Sequence, residues 1–90
     1  MHGSTINAGA HIGNNCILNT HSLVEHDAIV GNHTHVSTSA VVNGNASIGS
    51  RCFIGSKATV VQGVTIPDNY FFRANQLIIS IQDGYPIVEE

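Results

Sequence analysis

Residues 6–36 read INAGAHIGNNCILNTHSLVEHDAIVGNHTHV, and every sixth residue of the stretch is aliphatic: Ile6, Ile12, Leu18, Val24, Val30 and Val36. The same step runs on through Val42, Ile48, Ile54, Val60 and Ile66, so eleven consecutive hexads keep one register. Ile, Leu and Val supply 23 of the 90 residues. At that frequency an unbroken run of this length arises by chance roughly once in a million sequences, so the period is a structural signal. Two places before each aliphatic stands a second column of small residues: Ser4, Ala10, Cys16, Ser22, Ala28, Thr34, Ala40, Ala46, Cys52 and Ala58.

Six is a multiple of the strand period of two and matches no helical face, so the two columns point the same way on short extended segments. Between the segments stand Asn7, Gly9, Gly13, Asn14, Asn15, Gly31, Asn32, Asn43, Gly44, Asn45, Gly49 and Gly55, residue types that enter left-handed backbone at least cost. Each hexad is therefore one strand and one corner, and the chain is an all-β solenoid.

Only 10% of the residues are charged, against about a quarter in an ordinary soluble domain. Arg51, Lys57 and Arg73 are the only cations and the net charge is −3, which argues against phosphate-backbone binding and hence against nucleic acid. The N-terminus carries no charged region followed by an apolar run, and no apolar stretch is long enough to span a bilayer, so a cytoplasmic address and no membrane contact are expected. The residues just before the core aliphatics include Ile17, Leu23, Ile29, Val41 and Phe53, which places apolar side chains on the outer faces and calls for a cover.

These features resemble the hexapeptide-repeat family, whose left-handed parallel β-helices are triangular prisms with three hexads per coil. The resemblance implies about 3.5–4 coils, stacking of residues eighteen apart, and a homotrimer that covers the apolar faces. The helix is expected to occupy residues 1–69. The remainder, 70–90, reads as a C-terminal cap or docking tail, since the hexad rule fails from Tyr70 onward. Cys16 and Cys52, two coils apart, would lie near 10 Å from each other, beyond the roughly 7 Å reach of a disulfide, and are expected to be reduced interior fillers.

All six histidines lie at or before residue 35, and three of them fall in the stretch EHDAIVGNHTHVS beginning at Glu25. His26 falls at a corner between two carboxylates, Glu25 and Asp27. A carboxylate that accepts one ring N–H fixes the tautomer and leaves the other nitrogen as a base. Either acid is a candidate for that role, because neighbours on an extended chain point apart and the corner decides between them.

The stretch closely resembles one branch of the hexapeptide acyltransferases, bacterial enzymes that N-acetylate nucleotide-linked amino sugars or O-acetylate sialic acid. The resemblance covers residues 4–69. It implies acetyl-CoA as co-substrate with no bound cofactor or metal, a sugar or nucleotide-sugar acceptor, and His26 as general base with Asp27 or Glu25 as its partner. It further implies His35 lining the same pocket and Gly44, one coil after His26, presenting its amide to the thioester carbonyl. Arg51 and Lys57 are candidates for the coenzyme A phosphates. Members of this branch usually carry an N-terminal α/β domain for the sugar nucleotide. Two other readings share the fold: a zinc enzyme similar to γ-type carbonic anhydrases, suggested by the five-residue spacing of His21 and His26, and a trimeric scaffold without catalysis.

Overall fold

The computed structural model describes residues 3–90; His2 lies outside them. Among the described residues the chain forms fourteen strands, β1 to β14 in chain order, and no helix. The strands take turns on three faces. The first holds β1 (Thr5–Ile6), β4 (Leu23–Val24), β7 (Val41–Val42), β10 (Thr59–Val60), β13 (Leu77–Gln82) and β14 (Tyr85–Glu89). The second holds β2 (His11–Ile12), β5 (Ile29–Val30), β8 (Ser47–Ile48) and β11 (Thr65–Ile66). The third holds β3 (Ile17–Leu18), β6 (His35–Val36), β9 (Phe53–Ile54) and β12 (Phe71–Phe72). This is the left-handed parallel β-helix expected, with four complete coils and the opening strand of a fifth.

Pairing is parallel with a constant offset of eighteen residues, as in Thr5↔Leu23↔Val41↔Thr59↔Leu77 on the first face. In each two-residue strand the first side chain points out and the second in, so the aliphatic of every hexad enters the prism. Val24, Val36, Val42, Ile54 and Val60 are fully buried, and Ala28, Ala40, Ala46 and Ala58 fill the corners between them. Each buried Val or Ile contributes about 1.5–3 kcal/mol relative to exposure. The alternation of one branched and one small residue lets three strands converge on a narrow axis without voids.

Every sixth residue from Gly3 to Asn75 has positive φ, and ten of these positions carry side chains: Asn15, His21, Asp27, His33, Ser39, Asn45, Arg51, Lys57, Asn69 and Asn75. A left-handed residue with a side chain costs roughly 1–2 kcal/mol. Hydrogen bonds along the axis offset that cost, because the amide of the bent residue donates to a carbonyl one coil back: Asp27 to Ala8 at 3.2 Å, His33 to Asn14 at 2.9 Å and Lys57 to Thr38 at 2.9 Å.

The stacking continues beyond residue 69, where the hexad rule was expected to end. β12 pairs with β9 and β13 with β10, while Phe72 (2% exposed) and Ile78 (fully buried) extend the core column. One aromatic in place of an aliphatic interrupts the sequence pattern, yet its ring is accommodated in the core column, with the Tyr70 ring tilted beside it at 5.9 Å between centroids. Only after Ile78 does the geometry change: β13 turns back into antiparallel β14, which lies against the last strand of the first face. Glu90 holds this hairpin to the final corner, accepting from Arg73 Nη2 at 2.8 Å and Gln76 Nε2 at 3.0 Å, and the Tyr70 hydroxyl donates to the Gly84 carbonyl.

Both cysteines are free; they line the edge between the second and third faces. Their thiols donate to carbonyls of the following coil, Cys16 to Gly31 at 3.0 Å and Cys52 to Pro67 at 3.2 Å, as the Thr34 hydroxyl does to Gly49 at 2.8 Å. Burial pushes the Cys52 thiol up from its ordinary range. Brief alkylation of the native protein is expected to label Cys16 ahead of Cys52, read by mass spectrometry; equal labelling would contradict this packing. Ser22 stands in the small-residue column at 1% exposure with no hydrogen-bond partner for its hydroxyl. Ser22→Ala is expected to stabilise the fold by about 1 kcal/mol, a rise in Tm of about 4–8 °C in thermal unfolding. A drop in Tm would show that the hydroxyl is satisfied.

Candidate active site

Four corners stack on the edge between the first and second faces, the last of them at residues 61–63, where the Gly63 N–H donates to Gly44 O at 3.1 Å. Residues 7–9, 25–27 and 43–45 lie above one another, with Ala8, His26 and Gly44 in one column and Gly9, Asp27 and Asn45 in the next. The corner hydrogen bonds Asp27 N–H to Ala8 O and Asn45 N–H to His26 O, both 3.2 Å, fix this alignment. His26 and Asp27 project from the edge, each side chain 62% exposed, with His26 Nδ1 3.5 Å from Asp27 Oδ2. Asp27 has φ of 60°, and this bend brings its side chain beside that of its neighbour instead of to the opposite side of the strand.

The corner thus decides between the two acids. Glu25 is half-buried and turned away, its Oε1 accepting from Asn7 Nδ2 of the preceding coil at 2.6 Å. Asp27 is the carboxylate that faces the imidazole. A separation of 3.5 Å is long for a hydrogen bond but within reach for an electrostatic hold on an Nδ1 proton, and such contacts commonly tighten once a ligand is bound. With that proton on Nδ1, Nε2 is the free basic nitrogen.

Gly44 lies directly beneath the ring. A Cβ built there would fall 3.1 Å from His26 Cε1 and 3.2 Å from Nε2. The hydrogen bonds of its own corner run from Asn43 to Val60 O, from Asn45 to His26 O and from Ala46 to Asn43 O, so the Gly44 N–H stands outside that ladder. A backbone donor left over on the corner beneath a basic ring is a group that could serve a developing oxyanion.

The other candidates lie elsewhere on the prism. His35 is on the third face, opposite this edge, half-buried between Ile17 and Phe53. Its Nε2 is 2.8 Å from Asn19 Nδ2, and its ring stands edge-on to Phe53 with centroids 5.0 Å apart. Phe53 in turn stacks on Phe71 at 4.8 Å, making an aromatic ladder on that face. Arg51 is on the edge between the second and third faces, with Nε donating to Asn69 Oδ1 at 2.9 Å and Nη2 3.5 Å from Asp68 Oδ2. Lys57 is exposed on the edge between the third and first faces. His26, Asp27 and Gly44 are therefore brought together by one chain, whereas His35, Arg51 and Lys57 are not. His21 also lies on a different edge from His26, and no group of three His, Cys, Asp or Glu side chains gathers among the described residues.

Two residues of this edge, Asn7 and Gly9, are read from the sequence only as corner formers and not as part of the site. Both stand eighteen positions before an acidic candidate, and the stacking rule applied backwards from Glu25 and Asp27 would have found them.

Residues 45–71 match a family model described as the hexapeptide repeat of succinyl-transferase. No curated protein matches the chain. Among solved structures, the acetyltransferase domain of PglB from Neisseria gonorrhoeae FA1090 superposes with a TM-score of 0.72 over 91% of this chain and 49% of that one, at 24% identity. The same domain in complex with acetyl coenzyme A gives the same figures. This likeness is one of fold, and the chain spans about half the length of the domains it matches.

Gly44→Ala tests the stacking of the ring. Gly44 is not at a positive-φ position, so alanine is compatible with its backbone, and its methyl group must displace the imidazole by a few tenths of an ångström. The expected result is a clear change in the His26 ring resonances with unfolding shifted by no more than about 1 kcal/mol. Unchanged ring resonances would mean that the imidazole does not rest on Gly44.

Proposed function

We propose that this solenoid is an acetyltransferase that moves the acetyl group of acetyl-CoA to an amino or hydroxyl group of a sugar, free or linked to a nucleotide, in bacterial surface-glycan synthesis. The observation that carries the reading is the His26–Asp27 pair set over Gly44 on one edge of the prism. The match to an acetyltransferase domain, also solved with acetyl coenzyme A, supports the choice of donor.

In this reading His26 Nε2 takes the proton of the acceptor amine or hydroxyl as its nitrogen or oxygen attacks the thioester carbonyl carbon. Asp27 steadies the imidazolium through Nδ1. The tetrahedral oxyanion accepts from the Gly44 N–H until the carbonyl reforms, the carbon–sulfur bond breaks, and the coenzyme A sulfur leaves with the proton from His26. No covalent enzyme intermediate is needed. Holding acceptor and thioester together supplies the rest of the acceleration.

The active form in this reading is a homotrimer. Ile17 and Ile29 are 47% and 46% exposed and Phe71 is 69% exposed, which leaves an apolar surface on a chain with few charges. His35, Arg51 and Lys57 lie away from the chain's own His26, so they reach that pocket from a neighbouring copy packed against its edge. The reaction belongs in the cytoplasm, where acetyl-CoA is made and used.

Calorimetry with acetyl-CoA, on protein whose oligomeric state is measured in the same sample, is the direct test. Micromolar binding by a trimer is expected. With amino-sugar nucleotides and sialic acid as acceptors, His26→Ala is expected to lower kcat by at least about 100-fold while the trimer and its Tm persist. A folded trimer that ignores acetyl-CoA would instead identify a scaffold, and full turnover by His26→Ala would remove the histidine from the mechanism.

A further inference from the structure

The two oxygens of the Asp27 carboxylate have different surroundings. Oδ2 is the atom 3.5 Å from His26 Nδ1. Oδ1 lies back over the preceding coil, 2.1 Å from where a Cβ on Gly9 would sit, with Cγ at 3.1 Å from the same point. The carboxylate thus occupies volume that any residue other than glycine at position 9 would fill. We infer that Gly9 is a positioning residue for the candidate base: its missing side chain is the space in which the Asp27 carboxylate turns toward His26.

Backbone conformation alone does not require glycine here. Gly9 has φ of 77°, but ten positions of the same bent column carry side chains, Asn at four of its corners among them. What distinguishes position 9 is the side chain stacked on it. Gly63, three coils further along the same edge, has the identical φ of 77° and nothing within 4 Å of a Cβ. The two glycines therefore pose the same backbone problem, and only one of them lies under a carboxylate.

The pair is arranged so that each member leans on a glycine of a different coil, Asp27 on Gly9 and His26 on Gly44. The stacked corners before and after contribute Asn7, Ala8 and Gly9, then Asn43, Gly44 and Asn45, none of which is titratable. Glu25, the other charged group of the corner, is held by Asn7. Displacing the Asp27 carboxylate thus leaves the His26 Nδ1 proton without an anionic partner, and the ring reverts to the Nε2–H form usual for a histidine in water. Nε2 is then blocked as a base. The catalytic meaning of the inference rests on the reading of His26 as general base, but the positioning itself is a geometric claim.

The experiment compares the full chain with Gly9→Ala, Gly9→Asn, Gly63→Ala and Asp27→Asn. The readout is the tautomer of His26 in long-range 1H–15N spectra at mildly alkaline pH, with the signal assigned by its loss in His26→Gln. Gly9→Asn places a residue type that tolerates this bend, so the displacement is seen even where alanine at position 9 impairs folding. Expected are Nδ1–H in the native chain and in Gly63→Ala, and a shift toward Nε2–H in both Gly9 variants and in Asp27→Asn. Where acetyl transfer is measured, kcat is expected to fall roughly tenfold or more in the Gly9 variants with KM little changed, because the base loses the partner that fixes its tautomer. The native tautomer in the Gly9 variants would overturn the inference, and so would an equal change in Gly63→Ala, which would assign the effect to backbone strain. If the tautomers follow the expected pattern while no transfer is found, the positioning stands and the transferase reading is what fails.

Discussion

The structure depends on the parallel hydrogen-bonded pairing of each two-residue strand with the strand eighteen residues on. A strand that short has no stability of its own, so neither its register nor its direction is a local property. Both come from the coil before and the coil after. Once the offset of eighteen is set, every side chain belongs to a column along the axis, and its neighbours above and below are known from arithmetic alone. Burial, hydrogen bonding and the candidate site all follow from membership of these columns.

The columns divide the energetic labour. The inner ones hold the branched aliphatics and alanines whose burial drives folding. The corner columns carry the cost of left-handed backbone at every sixth residue, offset by amide-to-carbonyl bonds between coils. Because the bend is held by backbone bonds, its side chain is free to vary: Asn, His, Asp, Ser, Arg and Lys all occupy it. Chemistry accumulates at the corners for that reason. His26 and Asp27 stand on one of them without disturbing the core at Val24 and Ala28 on either side.

Much of this was legible in the sequence. The hexads predict the solenoid and its inward residues, and a step of eighteen residues leads from His26 to Gly44 in the sequence itself. The end of the repeat was harder to read, since Phe72 interrupted a column defined by aliphatics and so hid Ile78 behind it. The choice between Glu25 and Asp27 could not be made from residue types, because it depends on a single dihedral angle at Asp27 and on a hydrogen bond from Asn7 in another coil. The resemblance grouped His35 with His26 in one pocket. In the folded chain they lie on opposite sides of the prism, because nine residues are one and a half hexads and so carry the chain half a turn around the axis.

The same arithmetic makes the fold tolerant and the site intolerant of different errors. A six-residue insertion at a corner keeps the inner pattern in phase, since the next aliphatic still arrives where the core requires one. It rotates everything downstream by a third of a turn. Inserted between His26 and Gly44, such a segment would preserve a well-packed prism and carry Gly44 to another edge, whereas eighteen residues would restore its edge one coil too far away. Length variation in a chain of this kind thus has two reading frames. Stability is maintained modulo six, and the alignment of stacked corners modulo eighteen.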